Sequence, residues 1–244
     1  MRIEVLIIFF LICGLYVVCH GQQNINGKTT LKDTVYTWRH ASADGTGKFY
    51  QGREIAHVMG AAGSDWLERD NRQQEENTRL AIEKINLAPG NTVADIGAGT
   101  GYYSFRLSPK VPQGKVYAVE IQDELLNYLR NKKNLLKDSI VEIVRGSELS
   151  PNLPDNSIDL ALMVDVYHEL AFPHEMLQSI RKALKLHGKI LLVEYRGEDP
   201  SIAIKALHKT TVAQLGRELN ANGFQLTYQG EFLPIQHFLL YEKK

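Results

Sequence analysis

Two rhythms of hydrophobic and polar residues run along this chain. Short, mostly apolar runs alternate with longer stretches in which apolar residues recur every three or four positions. The first pattern predicts β-strands at Thr92–Ile96, Lys115–Glu120, Ser139–Arg145, Ile158–Val164 and Lys189–Glu194. The second predicts a helix from Asp123 to Leu135, with Leu125, Leu126 and Leu129 on one face. Another spans Pro173 to Leu186, with Pro near its start and Gly188 after its end. Thr211 and Gln214 fit a capping box, followed at helical spacing by Leu215 and Leu219 and closed by Gly223. Gln225–Gln229 and Ile235–Tyr241 read as a final antiparallel pair. Ile158–Val164 is almost wholly apolar, as a central parallel strand covered on both faces should be. The expected architecture is α/β: a doubly wound, mostly parallel seven-stranded sheet of Rossmann type with a C-terminal antiparallel hairpin, over residues 72–244.

The first 71 residues follow neither rhythm. The 14 apolar residues from Val5 to Val18 are short for a membrane span, which needs about 20 residues, and fit the core of a signal peptide. Residues 1–21 are therefore read as a signal peptide or membrane anchor. The expected location is exported or membrane-associated, with a cytoplasm-facing anchor left open. Residues 22–37 read as a polar tether, and residues 38–71 as an extension that is either a lid or an arm packed on a sheet edge. Cys13 and Cys19, the two cysteines, both fall in the first segment, so the rest has no disulfide frame and no thiol nucleophile. Net charge is zero and no basic stripe is interleaved with aromatics, which argues against a nucleic-acid partner and for a small molecule.

Candidate chemistry concentrates where the first strand of the fold ends. Asp95-Ile96-Gly97-Ala98-Gly99-Thr100-Gly101 carries glycine at alternate positions. This lets the backbone turn sharply and approach a ligand without a Cβ in the way. The dinucleotide fingerprint needs its third glycine three residues after the second; Tyr102 stands at that position. Asp95 before the loop would repel a pyrophosphate but favour a ligand bearing an amino group and a sulfonium. Glu120, closing the next strand, is placed for the hydroxyls of a ribose.

The D-x-G-x-G-x-G pattern, with the order of elements after it, resembles motif I of the class I S-adenosylmethionine-dependent methyltransferases. Residues 45–244 also resemble a group of predicted bacterial methyltransferases of undetermined substrate, through Lys48–Gly60, Ser64–Arg69, Glu194–Pro200 and Leu207–Lys209. The resemblance implies S-adenosylmethionine as cofactor, held by Asp95, Gly97, Ala98, Gly99, Thr100, Gly101, Glu120, Ile121, Ser147, Glu148 and Asp165. Ser147 stands where the family often has Asp, which shifts the expected adenine contact toward Glu148. The implied reaction is in-line transfer of the sulfonium methyl.

Asp165, Tyr167 and His168, just after the fourth strand, are the expected catalytic residues, with His168 as general base. Asn-Pro-Pro-Tyr, typical of many amino-group methyltransferases, is absent there, so a small-molecule oxygen or carbon acceptor is expected. His208 and Lys209 either complete the acceptor pocket or face solvent. Asp165 and Glu194 on neighbouring strand ends are weak evidence for a metal, and no metal ligands are assigned. Two alternatives remain: a non-catalytic cofactor-binding or interaction module, and a nicotinamide-dependent oxidoreductase.

Overall fold

The computed structural model describes residues 35–244. The apolar run at Val5–Val18 and the boundary expected after residue 21 lie outside the described residues. Among those described, no helix is long and apolar enough to cross a membrane.

Three short strands, β1 (Tyr36–Trp38), β2 (Gly45–Tyr50) and β3 (Arg53–Ala56), form a separate antiparallel sheet. β1 thus begins inside the expected tether, because Tyr36 is buried against Tyr50, Ile55 and Phe172. A 3₁₀ segment at Ala61–Glu68 leads into helices α1 (Arg72–Glu76) and α2 (Thr78–Lys84).

The main sheet follows: β4 (Thr92–Ile96), α3 (Ser104–Leu107), β5 (Lys115–Glu120), α4 (Asp123–Leu136), β6 (Val141–Arg145), β7 (Ile158–Val164), α5 (Pro173–Ala183), β8 (Leu184–Tyr195), α6 (Val212–Ala221), β9 (Phe224–Gly230) and β10 (Gln236–Lys243). Its order is β6-β5-β4-β7-β8-β10-β9. The first five strands in that order are parallel; β10 runs antiparallel to both β8 and β9. This is the expected doubly wound sheet. Strand order reverses at β4, between β5 and β7, so a crevice opens beyond the carboxyl ends of these strands. Apolar clusters cover the two faces: α5 and α6 bury Met176, Leu177, Ile180, Leu215 and Leu219 on one, while Leu107, Val111 and Leu129 pack on the other.

Two boundaries differ from expectation. α5 stops at Ala183, and the chain is already extended at Leu184, which pairs with Ile158. A ladder partner distant in sequence overrides the local helical pattern through Leu186. β6 begins at Val141 rather than Ser139, because Asp138 Oδ1 accepts the N–H groups of Ile140 and Val141 and holds them in a turn. At α6 the expected cap forms: Thr211 Oγ1 accepts the Gln214 N–H at 3.1 Å. The Gln214 side chain does not reciprocate, donating instead to Glu218 and to the Gln51 carbonyl.

Candidate active site

A cavity of about 490 Å³ occupies the crevice at the carboxyl ends of β4, β5, β7 and β8, a volume ordinary for a small-molecule site. Its walls are mostly apolar. Its polar groups come from strand ends and from the N-terminal extension.

The glycine loop forms one wall. Gly97 and Gly99 line the cavity with φ of +71° and +57°, a region costly for residues with a Cβ. A Cβ on Gly97 would meet Val166 Cγ atoms at 2.7 Å; one on Gly99 would meet Leu67 Cδ1 at 2.6 Å. Glu120, buried at the end of β5, accepts Gly99 N–H at 3.0 Å through Oε2, and Ile121 and Gln122 N–H at 2.7 and 3.0 Å through Oε1. A carboxylate so fixed, beside the bare backbone of Gly97 and Gly99, suits a vicinal diol of a nucleoside. Ile121, Ser147 and Glu148 line the same wall. The residues present therefore fit an adenosyl cofactor.

Four expected cofactor residues do not line the cavity. Asp95 is buried beneath the loop, where Oδ2 accepts the Ser104 hydroxyl at 2.6 Å; burial pushes its carboxyl up to about 6. It braces the loop from below, outside the cavity lining. Ala98 N–H is spent on the Val119 carbonyl. Thr100 donates to Glu68 at 2.7 Å, and Gly101 admits Phe105 and Leu129 to the strand–helix junction.

The extension supplies the opposite wall. His57, Val58, Met59, Trp66 and Leu67 line the cavity. They are latched by Gln122, which accepts from Ala61 N–H at 2.8 Å and donates to the Met59 carbonyl at 3.1 Å. Lys132 and Thr100 both donate to Glu68. Deeper in, fully buried Glu76 accepts from Arg69, Arg72 and Tyr195. The extension packs against the turns at Tyr167–Glu169 and Ala206–His208, at the ends of the strands. The outer strands of the sheet are β6 and β9.

The third group follows β7. Asp165 lines the cavity in the left-handed region, φ +53°, with both oxygens accepting from Gln236. Burial first, then Glu76 and Glu194, holds its carboxyl well above the usual range. Tyr167 turns the other way: it is fully buried and donates to Glu218 at 2.8 Å, which removes it from the expected catalytic set. His168 lines the cavity. Its Nδ1 lies 2.6 Å from Glu194 Oε2 and its Nε2 3.0 Å from His208 Nδ1. Glu194 Oε1 accepts the Val166 and Tyr167 N–H groups, so both Glu194 oxygens are engaged by the turn and by His168. His208 joins the cavity, whereas Lys209 turns back onto the carbonyls of Asp199 and Ile202.

Sequence reasoning missed Arg72 and Gln122, for which nothing local signals a role. Glu169, which also lines the cavity, received no role from the sequence.

Comparison with known proteins agrees with this geometry. A sequence model of the methyltransferase domain family matches residues 94–192. The ubiquinone/menaquinone biosynthesis C-methyltransferase UbiE of Ectopseudomonas mendocina is 29% identical over 121 residues, covering 48% of this chain and 46% of that protein. A demethylmenaquinone methyltransferase of Oceanobacillus iheyensis is 26% identical over 114 residues, 46% of this chain and 48% of its own length. The chain thus spans about half the length of these curated relatives. A solved SAM-dependent methyltransferase from Aquifex aeolicus superposes with a TM-score of 0.72 at 24% identity, covering 77% of this chain and all of that one. The fold is that of the class I S-adenosylmethionine-dependent methyltransferases.

Proposed function

We propose that the protein transfers a methyl group from S-adenosylmethionine to a small acceptor at a reactive oxygen or carbon. One observation carries this reading: the glycine loop and the buried, fixed Glu120 share a single cavity with Asp165 and His168. A cofactor wall and a polar acceptor end are thereby joined in one space.

The cofactor, when bound, supplies an electrophilic methyl on a sulfonium, so much of the rate depends on placing the acceptor in line with it. Glu120 presents its carboxylate for the ribose, and Ile121, Ser147 and Glu148 offer the adjoining wall. Met59, Trp66 and Leu67 wall the cavity from the extension and narrow the access of water to it. The apolar lining favours an acceptor with an apolar body, and the name of one curated relative, a C-methyltransferase, supports a carbon acceptor. His168 does not act as a lone imidazole, since Glu194 and His208 engage both of its nitrogens. The group facing an acceptor is the paired His168 and His208.

Calorimetric titration of the full chain with S-adenosylmethionine and S-adenosylhomocysteine, with NAD as control, tests the reading. Saturable binding of either adenosyl ligand and none of NAD is expected. A folded chain that binds neither would remove the cofactor assignment.

A further inference from the structure

We propose that His168 Nε2, His208 Nδ1 and Glu169 Oε1 hold a divalent first-row transition metal, zinc in the first instance, with an open coordination position toward the acceptor. Three of its supports are independent of one another.

The first is distance. The two imidazole nitrogens lie 3.0 Å apart, and Glu169 Oε1 lies 3.4 Å from His208 Nδ1 and 3.8 Å from His168 Nε2. The circle through three atoms so spaced has a radius of about 2.0 Å, the length of a zinc–nitrogen or zinc–carboxylate bond. One ion can therefore reach all three atoms as they stand.

The second is what lies behind each ligand. His168 turns its outer Nδ1 to Glu194 in a hydrogen bond of 2.6 Å, and the outer Nε2 of His208 lies 3.0 Å from Asp44 Oδ2 as an ion-pair contact. Metal-binding histidines commonly give the other ring N–H to a carboxylate, which fixes the tautomer and makes the ligating nitrogen more basic. With those protons placed outside, both inner nitrogens present lone pairs to each other and to a carboxylate oxygen. Glu169 is itself held by the Met59 N–H at 3.2 Å.

The third is charge. Glu169, Glu194 and Asp44 surround the two rings, and Lys205 offsets Asp44 at 2.6 Å. Arg53, which donates to the His168 carbonyl, is paired bidentately with Glu218. The surplus is two negative charges, which a divalent cation neutralises. Imidazole nitrogens with a carboxylate oxygen suit zinc and its neighbours rather than magnesium or calcium.

All three ligands line the cavity, so the free position faces the acceptor. There the metal would bind an acceptor oxygen and lower its pKa, removing the need for His168 as base. This narrows the acceptor to an apolar molecule with an ionisable hydroxyl at or beside the methylated atom. That role rests on the methyltransferase reading; the metal site does not.

The test is zinc titration of the chelator-treated full chain by calorimetry, with metal content by mass spectrometry and S-adenosylhomocysteine titration of the same samples. About one equivalent of tightly bound zinc is expected, weakened more than about 100-fold by His208→Ala or Glu169→Gln and about 10- to 100-fold by Asp44→Asn. Circular dichroism checks folding; should His208→Ala fail to fold, Asp44→Asn and the visible spectrum of bound Co²⁺ decide. No zinc binding, or zinc binding indifferent to all three substitutions, overturns the site and leaves two hydrogen-bonded histidines. Adenosyl-ligand binding without zinc would sink the metal alone, and zinc without that ligand would sink the cofactor reading alone.

Discussion

Glu120 accepts the backbone N–H of Gly99 at 3.0 Å, so the acid at the end of β5 clasps the glycine loop at the end of β4. Affinity for the cofactor should depend on both partners of this contact. Glu120→Ala removes a buried acceptor for the ribose and frees the loop; charge-assisted hydrogen bonds of this type contribute about 1.5–3 kcal/mol each. S-adenosylmethionine affinity should fall about 10- to 100-fold by calorimetry. Gly99→Val places a β-branched residue at φ +57° with its Cβ against Leu67 and should nearly abolish binding. Unchanged affinity in both would mean that the cofactor lies elsewhere.

The extension should report ligand binding through Trp66. The chain has two tryptophans, of which Trp66 lines the cavity, its ring 3.7 Å from the Arg69 guanidinium. Saturation with S-adenosylhomocysteine should change tryptophan emission. Trp66→Phe should remove that change and Trp38→Phe should preserve it; the reverse pattern would exclude the 3₁₀ segment from the ligand's surroundings.

The same extension is anchored by a buried ion pair. Arg53 on β3 donates through Nε and Nη2 to Glu218 on α6 at 2.7 and 2.9 Å, and Tyr167 donates to the same carboxylate. Glu218→Ala would strand a buried guanidinium, a loss of about 3–5 kcal/mol. Denaturant unfolding should show that loss, and a change below 1 kcal/mol would mean that water or another acceptor already serves Arg53.

Asp95 should make stability depend on pH. Burial pushes its folded carboxyl up to about 6, above the unfolded value. The folded state then binds the proton more tightly, so Asp95 favours folding at low pH, and this contribution is lost as pH rises through about 6. Asp95→Asn removes the titration. From about pH 4.5 to 7.5, its stability relative to wild type should rise by about 2 kcal/mol. Denaturation at the two pH values measures the difference, and a constant offset would place the Asp95 carboxyl in its ordinary range.

Much of the cavity wall built by the glycine loop was legible in the sequence. Thr92–Ile96 and Lys115–Glu120 announce strands through local apolar runs, and the glycine spacing belongs to a turn a few residues long. Side-chain direction was less legible. Asp95 and Gly97 are two residues apart, yet one lies under the loop and the other on the cavity. Tyr167 and His168 are adjacent, yet the turn sends one to Glu218 and the other to His208.

By itself, the sequence determined the alternation of strands and helices, the parallel sheet that follows from it, and the glycine loop and acid that line the cavity. These rest on periodicity and on backbone freedom at glycine, which act over a few residues. Tertiary structure alone decided that Gln122 latches the extension over the cavity, that α5 ends at Ala183 because Leu184 pairs with Ile158, and that His208 meets His168. Each of these contacts joins segments distant in the chain. Which side chains meet is set by strand order and by burial of whole faces, and no local pattern records it.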